Sequence, residues 1–314
     1  MRKKPLHEQV IVVTGASSGL GRAIARAAGA RGAKVVLAAR NEDALANGVG
    51  EIADAGSEAL AIPTDVTDQD GVQALVAGAV DRFGRIDTFV ANAMVTVYSE
   101  VAELEPEELR RVIDVNFFGV ANCFRASLPH LRESRGTFLH VSSALAYRGI
   151  PLQAAYCASK AAARTFLESA RVELDKHETG VAVSLVLPGA IDTPQFDRDR
   201  QKMGYQPQPV PPIYEPEPFA AAVLRCCERP ARELPIGWGA QKLLWAQKLS
   251  PRTVDWMLLR MGWKSQHTSE PKPVGTPDNL FRTLPGDPGA RGRFSRMSRK
   301  STAWTSARLL RWLS

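Results

Sequence analysis

Short apolar runs alternate along this chain with longer stretches whose apolar residues recur at helical spacing. The runs cover residues 9–13, 34–38, 59–62, 86–91, 137–141 and 181–187. They are rich in Val, Ile and Leu, as strands covered on both faces must be, and lack the strict alternation of a strand with one wet face. The stretches between them, such as the alanine-rich residues 22–30, are long enough for the crossover helices that parallel strands require. A short seventh strand over 234–237 would close the array. The pattern predicts an α/β fold in which a doubly wound parallel sheet of about seven strands carries helices on both faces. There is no internal repeat of solenoid type.

The first run leads into Thr14-Gly15-Ala16-Ser17-Ser18-Gly19-Leu20-Gly21, and a helical segment follows at once. Strand, glycine turn and helix in that order make a phosphate cradle. The glycines let backbone approach a ligand closely, and the free amides and positive dipole of the helix N-terminus face an anion. The glycine spacing, three residues and then one, departs from the commoner G-x-G-x-x-G fingerprint. The second run ends in Ala39 and Arg40, where such folds meet the adenosine ribose. An acidic residue there would hold the ribose hydroxyls of NAD, whereas a guanidinium suits a 2′-phosphate by charge and by its planar donor fork. The expected cofactor is NADP(H).

Tyr156 and Lys160 lie four residues apart in YCASKAAA, with Ser143 thirteen positions upstream. Residues four apart share a helix face, which places the ammonium of Lys160 under the ring of Tyr156. Lowering a phenol pKa from about 10 by about three units takes roughly 4 kcal/mol. One unit charge at about 4 Å in an effective dielectric near 20 supplies that much. The set therefore reads as a hydride-transfer site with tyrosine acid/base catalysis.

With the glycine turn, Arg40, Asn116, Ser143, Tyr156, Lys160, Pro188 and Gly189 in this order, the chain resembles the short-chain dehydrogenase/reductase family over roughly residues 8–240. The resemblance implies a single Rossmann-type domain, a nicotinamide cofactor and reversible conversion of a carbonyl to an alcohol. It makes Tyr156 the proton donor and acceptor. Lys160 lowers the tyrosine pKa and bonds the nicotinamide ribose, Ser143 polarises the substrate carbonyl, and Asn116 in DVNFFG holds a relay water near the lysine. Asp65, followed by Val66, matches the adenine contact, and Ile191 and Thr193 in PGAIDTP match the carboxamide contacts. Asn92 falls in the motif after the fourth strand, which reads Ala91-Asn92-Ala93-Met94 where the family commonly carries N-N-A-G. Met94 thus replaces a glycine near the nicotinamide. Relatives of this kind are commonly homodimers or homotetramers through the helices bearing Asn116 and Tyr156.

The chain divides into a catalytic domain over 1–240, with a lid over about 193–218, an amphipathic helical extension over 241–263, and a basic tail over 264–314 whose Pro, Gly, Ser and Arg content predicts disorder. Phe196, Tyr205, Ile213 and Tyr214 of the lid are expected to form an apolar wall. Met94, Leu145, Tyr147 and Leu152 are expected on the substrate side, which favours a small hydrophobic carbonyl or alcohol. Pro251 splits 241–263 into two short helices that pack on the core, pair subunits or lie on a membrane surface.

Charge is unevenly placed. The tail holds ten Lys and Arg against three Asp and Glu, so it carries the whole net charge of +7, and 30 of each sign remain in the body. A uniformly basic face for DNA is therefore not expected, whereas attraction of the tail to anionic lipid or to RNA stays open from charge alone. Cys123, Cys157, Cys226 and Cys227 form neither a C-x-x-C pair nor a metal pattern, and Cys157 is expected to pack rather than react. No secretory signal and no membrane-length apolar run is present, so the expected location is cytoplasmic, peripheral contact aside. The rival to an NADP(H)-dependent oxidoreductase is a cofactor-binding regulator or scaffold on the same fold, with Met94 and the basic tail as its support.

Overall fold

The computed structural model of the protein describes residues 3–300. In chain order the elements are β1 (Val10–Thr14), α1 (Gly19–Gly29), β2 (Lys34–Ala39), α2 (Glu42–Asp54), β3 (Ala59–Pro63), α3 (Gln69–Phe83), β4 (Thr88–Ala91), β5 (Val97–Tyr98), α4 (Pro106–Ile113), α5 (Gly119–Ser134), β6 (Thr137–Val141), α6 (Ala154–Lys176), β7 (Ala182–Pro188), α7 (Gln195–Arg198), β8 (Arg200–Gln201), β9 (Tyr205–Pro207), α8 (Pro216–Glu228), β10 (Glu233–Ile236), α9 (Trp238–Leu249), α10 (Pro251–Met261) and β11 (His267–Pro271).

Seven strands form one parallel sheet in the order β10-β7-β6-β4-β1-β2-β3. The order reverses between β1 and β4, and the crevice beyond the strand ends at such a switch point is where ligands of open α/β sheets bind. Each face of the sheet carries its own apolar core. One gathers Ile11, Val13, Ile24, Leu37 and Phe219 under α1 and α8. The other gathers Val12, Leu75, Phe89, Phe138 and Leu167 under α3, α5 and α6. A third, smaller cluster of Tyr98, Leu152, Phe196, Ile213 and Phe294 lies under the lid.

Local chemistry sets the helix ends. Asn41 caps α2 by accepting from the Ala44 amide, and Glu105 and Glu108 form a reciprocal capping box on α4 ahead of Pro106. The helix α1 begins at Gly19, three residues before the predicted start, because Ser18 in extended conformation hands Gly19 directly to the first turn. Between α4 and α5 the helix widens into a π turn, Asp114–Phe118, in which the Gly119 amide bonds the Asp114 carbonyl.

The predicted features of the C-terminal region divide. Pro251 does divide residues 238–261 into two helices. The tail, however, is ordered as far as it is described: β11 pairs antiparallel with β9, and residues beyond it lie across the ends of the sheet strands. Composition predicted disorder because the segment is poor in apolar residues, but its carbonyls are satisfied by side chains of the body and Leu280 is fully buried. The basic amphipathic turn expected near the C-terminus lies outside the described residues.

Candidate active site

The sheet switch point opens into a cavity of about 890 Å³. Its walls include Gly15, Ser17, Ser18, Gly19, Leu20, Arg40, Asp65, Val66, Asn92, Met94, Ser143, Leu145, Tyr156, Lys160, Pro188, Gly189, Ile191 and Thr193. Residues predicted from seven separate chain segments thus converge on one cleft.

At one end, Gly15 takes φ +66° and the turn folds back on itself. A Cβ on Gly21 would stand 2.2 Å from the Gly15 carbonyl oxygen, so this glycine permits helix–turn contact and does not itself line the cavity. The Asn92 side chain donates to the Thr14 and Gly15 carbonyls, which fixes the turn against the end of β4.

At the end of β2, Arg40 donates through Nη2 to the carbonyl of Asn279 (2.7 Å), while its Nη1 is buried with no partner among the described residues. Burial holds its pKa below the usual guanidinium value. Neighbouring Asp65 is pushed up by burial, but the Arg111 guanidinium (2.7 Å) and the Thr67 amide and hydroxyl outweigh this and leave its carboxyl below the ordinary range. Its carboxylate is therefore already committed within the protein.

At the other end, β6 delivers Ser143 and the first turns of α6 deliver Tyr156 and Lys160. The Lys160 ammonium donates to the Val141 carbonyl at 2.9 Å and sits 5.7 Å from the centre of the Tyr156 ring. Burial lowers its pKa to about 7. The Tyr156 hydroxyl moves the opposite way from the expectation. Desolvation raises it above an ordinary phenol, and the hydrogen bond with Ser143 opposes that only in part. The neighbouring His140 is held far below its usual pKa by burial and by Lys160, with Nδ1 against the Ala91 carbonyl, so it is neutral at physiological pH.

Asn116 stands behind this group in the π turn and is fully buried. Its amide exchanges two 2.9 Å bonds with the Val95 backbone and donates to Ser159 Oγ at 3.0 Å. It braces the loop after β4 against α6 and is not on the cavity surface.

On the substrate side the expectations divide. Met94 and Leu145 line the cavity, and Met94 is not among the residues with positive φ, so its backbone does not demand glycine. Tyr147 does not line it: the hydroxyl donates to Glu233 and the Arg164 guanidinium covers the ring at 3.9 Å, which turns the side chain toward α6 and β10. Leu152, at φ 67°, faces away into the small cluster under the lid. Of the lid residues, Phe196 lines the cavity, whereas Ile213 and Tyr214 belong to the core and Tyr205 stacks on His267 at 4.9 Å. The wall comes instead from Val210 and Pro212 of the lid, from Trp238, Leu243, Met257, Leu258 and Met261 of α9 and α10, and from Gln153, whose Nε2 donates to Gln266 Oε1 at 2.6 Å. Nothing local marks these residues, because their place depends on how the extension folds back.

The family model described as short chain dehydrogenase matches residues 9–204. The chain belongs to the short-chain dehydrogenase/reductase family. An uncharacterized oxidoreductase, YxnA, of Bacillus subtilis is 37% identical over 278 residues, spanning 86% of this chain and 77% of that protein. A protein named 3beta-hydroxysteroid dehydrogenase from Mediterraneibacter gnavus is 36% identical over 192 residues, 61% of this chain and 69% of its own length. Among solved structures, a short chain dehydrogenase from Burkholderia cenocepacia in complex with NADP superposes with a TM-score of 0.69 at 31% identity, covering 82% of this chain and 99% of that one. This short-chain dehydrogenase/reductase is thus an oxidoreductase on a fold whose structural neighbours bind nicotinamide nucleotides.

Proposed function

We propose that the protein is an NADP(H)-dependent carbonyl reductase, or the reverse alcohol dehydrogenase, acting on a hydrophobic substrate. The observation that carries this is the meeting of Ser143, Tyr156 and Lys160 at one end of a cavity whose other end presents the buried, unpaired Nη1 of Arg40. The glycine turn and the orphaned guanidinium nitrogen fit a dinucleotide that carries a phosphate on its adenosine ribose. Bound there, such a cofactor supplies or accepts the hydride. Tyr156 gives its proton to the carbonyl oxygen as that oxygen gains charge, and Ser143 steadies the oxyanion by donating a hydrogen bond. A phenol held above its ordinary pKa is the protonated form that reduction needs at neutral pH. Lys160, near half-protonation at pH 7, is suited to return a proton to Tyr156 after each turnover.

The apolar wall built by Met94, Leu145, Phe196, Leu243 and Met257 favours a substrate with a substantial hydrophobic body. The steroid substrate class in the name of one relative agrees with that. Met94 replaces the usual glycine without a positive φ, and its side chain lines the cavity as part of the apolar wall.

Exposed apolar surface supports readings of assembly and of membrane contact. Phe118 and Val172, on the helices bearing Asn116 and Tyr156, are 52% and 65% exposed and would be covered in a homodimer. Leu249 and Leu259, 81% and 75% exposed, stand with Trp245, Trp256, Lys248 and Arg260 on α9 and α10, a mixture suited to a bilayer surface at the rim of the cavity. No helix among the described residues is long and apolar enough to cross a membrane.

The deciding experiment follows NADPH oxidation by the purified protein against ketones, aldehydes and diketones, with NADH and Tyr156→Phe in parallel. Turnover that prefers NADPH and is lost in Tyr156→Phe, with NADPH binding retained, is the expected result. A variant that keeps most of its rate would refute the role of Tyr156.

A further inference from the structure

We propose that residues 278–292, a C-terminal strap beyond the matched family region, form the outer wall of the cofactor cleft, and that Asn279 beside Arg40 recognises the phosphorylated ribose of NADP(H). This rests on the reading of the cleft as an NADP(H) site.

The strap is fastened at intervals. Leu280 is fully buried in the core beneath one sheet face, and its carbonyl accepts from Arg111 Nε at 3.1 Å. The Leu284 and Gly286 carbonyls accept from Asn41 Nδ2. The Asp287 carboxylate accepts from Asn47 at 2.8 Å and pairs with Arg22 at 3.4 Å. The Gly289 carbonyl accepts from the Gly19 amide at 2.9 Å, at the first residue of α1. These partners belong to the start of α1, to α1 and α2 with the α2 cap, and to α4, whose Arg111 also pairs with Asp65. The strap therefore spans the adenosine half of the cleft, and Asn279, Thr283, Leu284 and Pro288 face into the cavity.

Two polar atoms in this wall are buried without a partner, Arg40 Nη1 and Asn279 Oδ1. The residues that carry them are in direct contact, since Arg40 Nη2 donates to the Asn279 carbonyl at 2.7 Å. Leaving a buried donor and a buried acceptor unmet is unfavourable unless a ligand meets both. A ribose with a 2′-phosphate and a free neighbouring hydroxyl has that complement: phosphate oxygens accept from the guanidinium, and the hydroxyl donates to the Asn279 amide oxygen. An unphosphorylated ribose meets only Asn279 and leaves the charge of Arg40 unanswered. The cofactor selectivity assigned to Arg40 is in this view shared with a residue near the far end of the sequence.

Fluorescence titration with NADPH and NADH tests this on the full chain carrying Asn279→Asp or Asn279→Ala. Asn279→Asp puts a carboxylate where it pairs with Arg40 and repels phosphate. NADPH affinity should fall by ~10-fold or more while NADH affinity changes by less than ~3-fold, the size expected for a charged hydrogen-bond site. Asn279→Ala should weaken NADPH binding by roughly 3- to 10-fold. Saturating NADPH should also slow tryptic cleavage after the exposed Arg282 in the wild type. Wild type that binds NADPH no better than NADH overturns the NADP(H) reading and this assignment together. Wild type that prefers NADPH, with both variants unchanged or with no protection of Arg282, overturns the strap alone. Equal loss of both cofactors in Asn279→Asp marks a purely structural residue and likewise overturns it.

Discussion

The ammonium of Lys160 donates to the carbonyl of Val141 at 2.9 Å, tying the helix that carries Tyr156 to the strand that delivers Ser143. The bond fixes the geometry of the site but leaves the ammonium desolvated. Its folded pKa of about 7 lies below the 10.5 of an unfolded lysine. Between those values the unfolded chain holds the extra proton, so the contribution of Lys160 to stability rises as pH climbs from about 7 toward 10.5. In Lys160→Met that rise is absent. The stability advantage of the variant at pH 7 should shrink by on the order of 2 kcal/mol by pH 9, read from urea unfolding at the two pH values. Parallel pH profiles of wild type and variant would contradict a buried, depressed lysine.

Asp199, at the end of the short helix before β8, is 1% exposed and neither carboxylate oxygen has a hydrogen-bond partner among the described residues. Burial raises its pKa well above the ordinary carboxylate value, with Lys272 opposing and Asp278 and Asp197 adding to the shift. The folded protein keeps the proton that the unfolded chain loses above about pH 4, so Asp199 costs stability as pH rises into the neutral range. The isosteric Asp199→Asn has no charge to desolvate. It should raise the thermal midpoint at pH 7.5 by a few degrees and change it little at pH 4. An equal shift at both pH values would show that packing, not ionisation, governs the position.

Gly21→Ala places a methyl 2.2 Å from the Gly15 carbonyl oxygen and 2.5 Å from Asn92 Nδ2. Neither neighbour can retreat freely, because Asn92 holds the turn through the Thr14 and Gly15 carbonyls. Destabilisation of about 1–3 kcal/mol is expected, with NADPH affinity lowered by roughly tenfold as the turn opens. Calorimetry and fluorescence titration read the two effects separately. Unchanged NADPH affinity would detach the turn from cofactor binding.

Co-sedimentation with vesicles checks the exposed face of α9 and α10. Binding to vesicles containing anionic lipid, reduced several-fold by Trp245→Ser with Leu249→Ser and weakened by salt, is the expected outcome. If both proteins stay in the supernatant at low salt, this face has another use.

The sheet was legible because each strand is a local apolar run. Residues 137–141 were placed at their exact limits, and the others within two residues. The cleft was legible where short motifs carry it: the glycine turn, Arg40, Ser143, Tyr156 and Lys160 occupy one cavity as expected. What escaped notice depends on distant contacts. Tyr147 lies close to Ser143 in sequence, yet Glu233 and Arg164 turn its side chain away. The strap has the composition of a disordered segment, and its place depends on distant contacts such as the carbonyl acceptors it offers to Arg40, Asn41 and Arg111. Tyr156 shows the same limit for charge, since sequence spacing put Lys160 nearby but could not reveal how strongly burial acts on both groups.

The π turn of Asp114–Phe118 holds one more residue than a regular helix would need between the cores of α4 and α5. Val112 upstream and Val120 downstream are both buried, and the extra residue lets Asn116 turn inward between them. Deleting a single residue here would let the helix run in unbroken α register with both halves keeping their buried faces, but it would remove the widening that turns Asn116 inward. A one-residue gap in this loopless stretch would thus be an unusual lesion, mending the backbone ladder while uncoupling the loop of Val95 from Ser159.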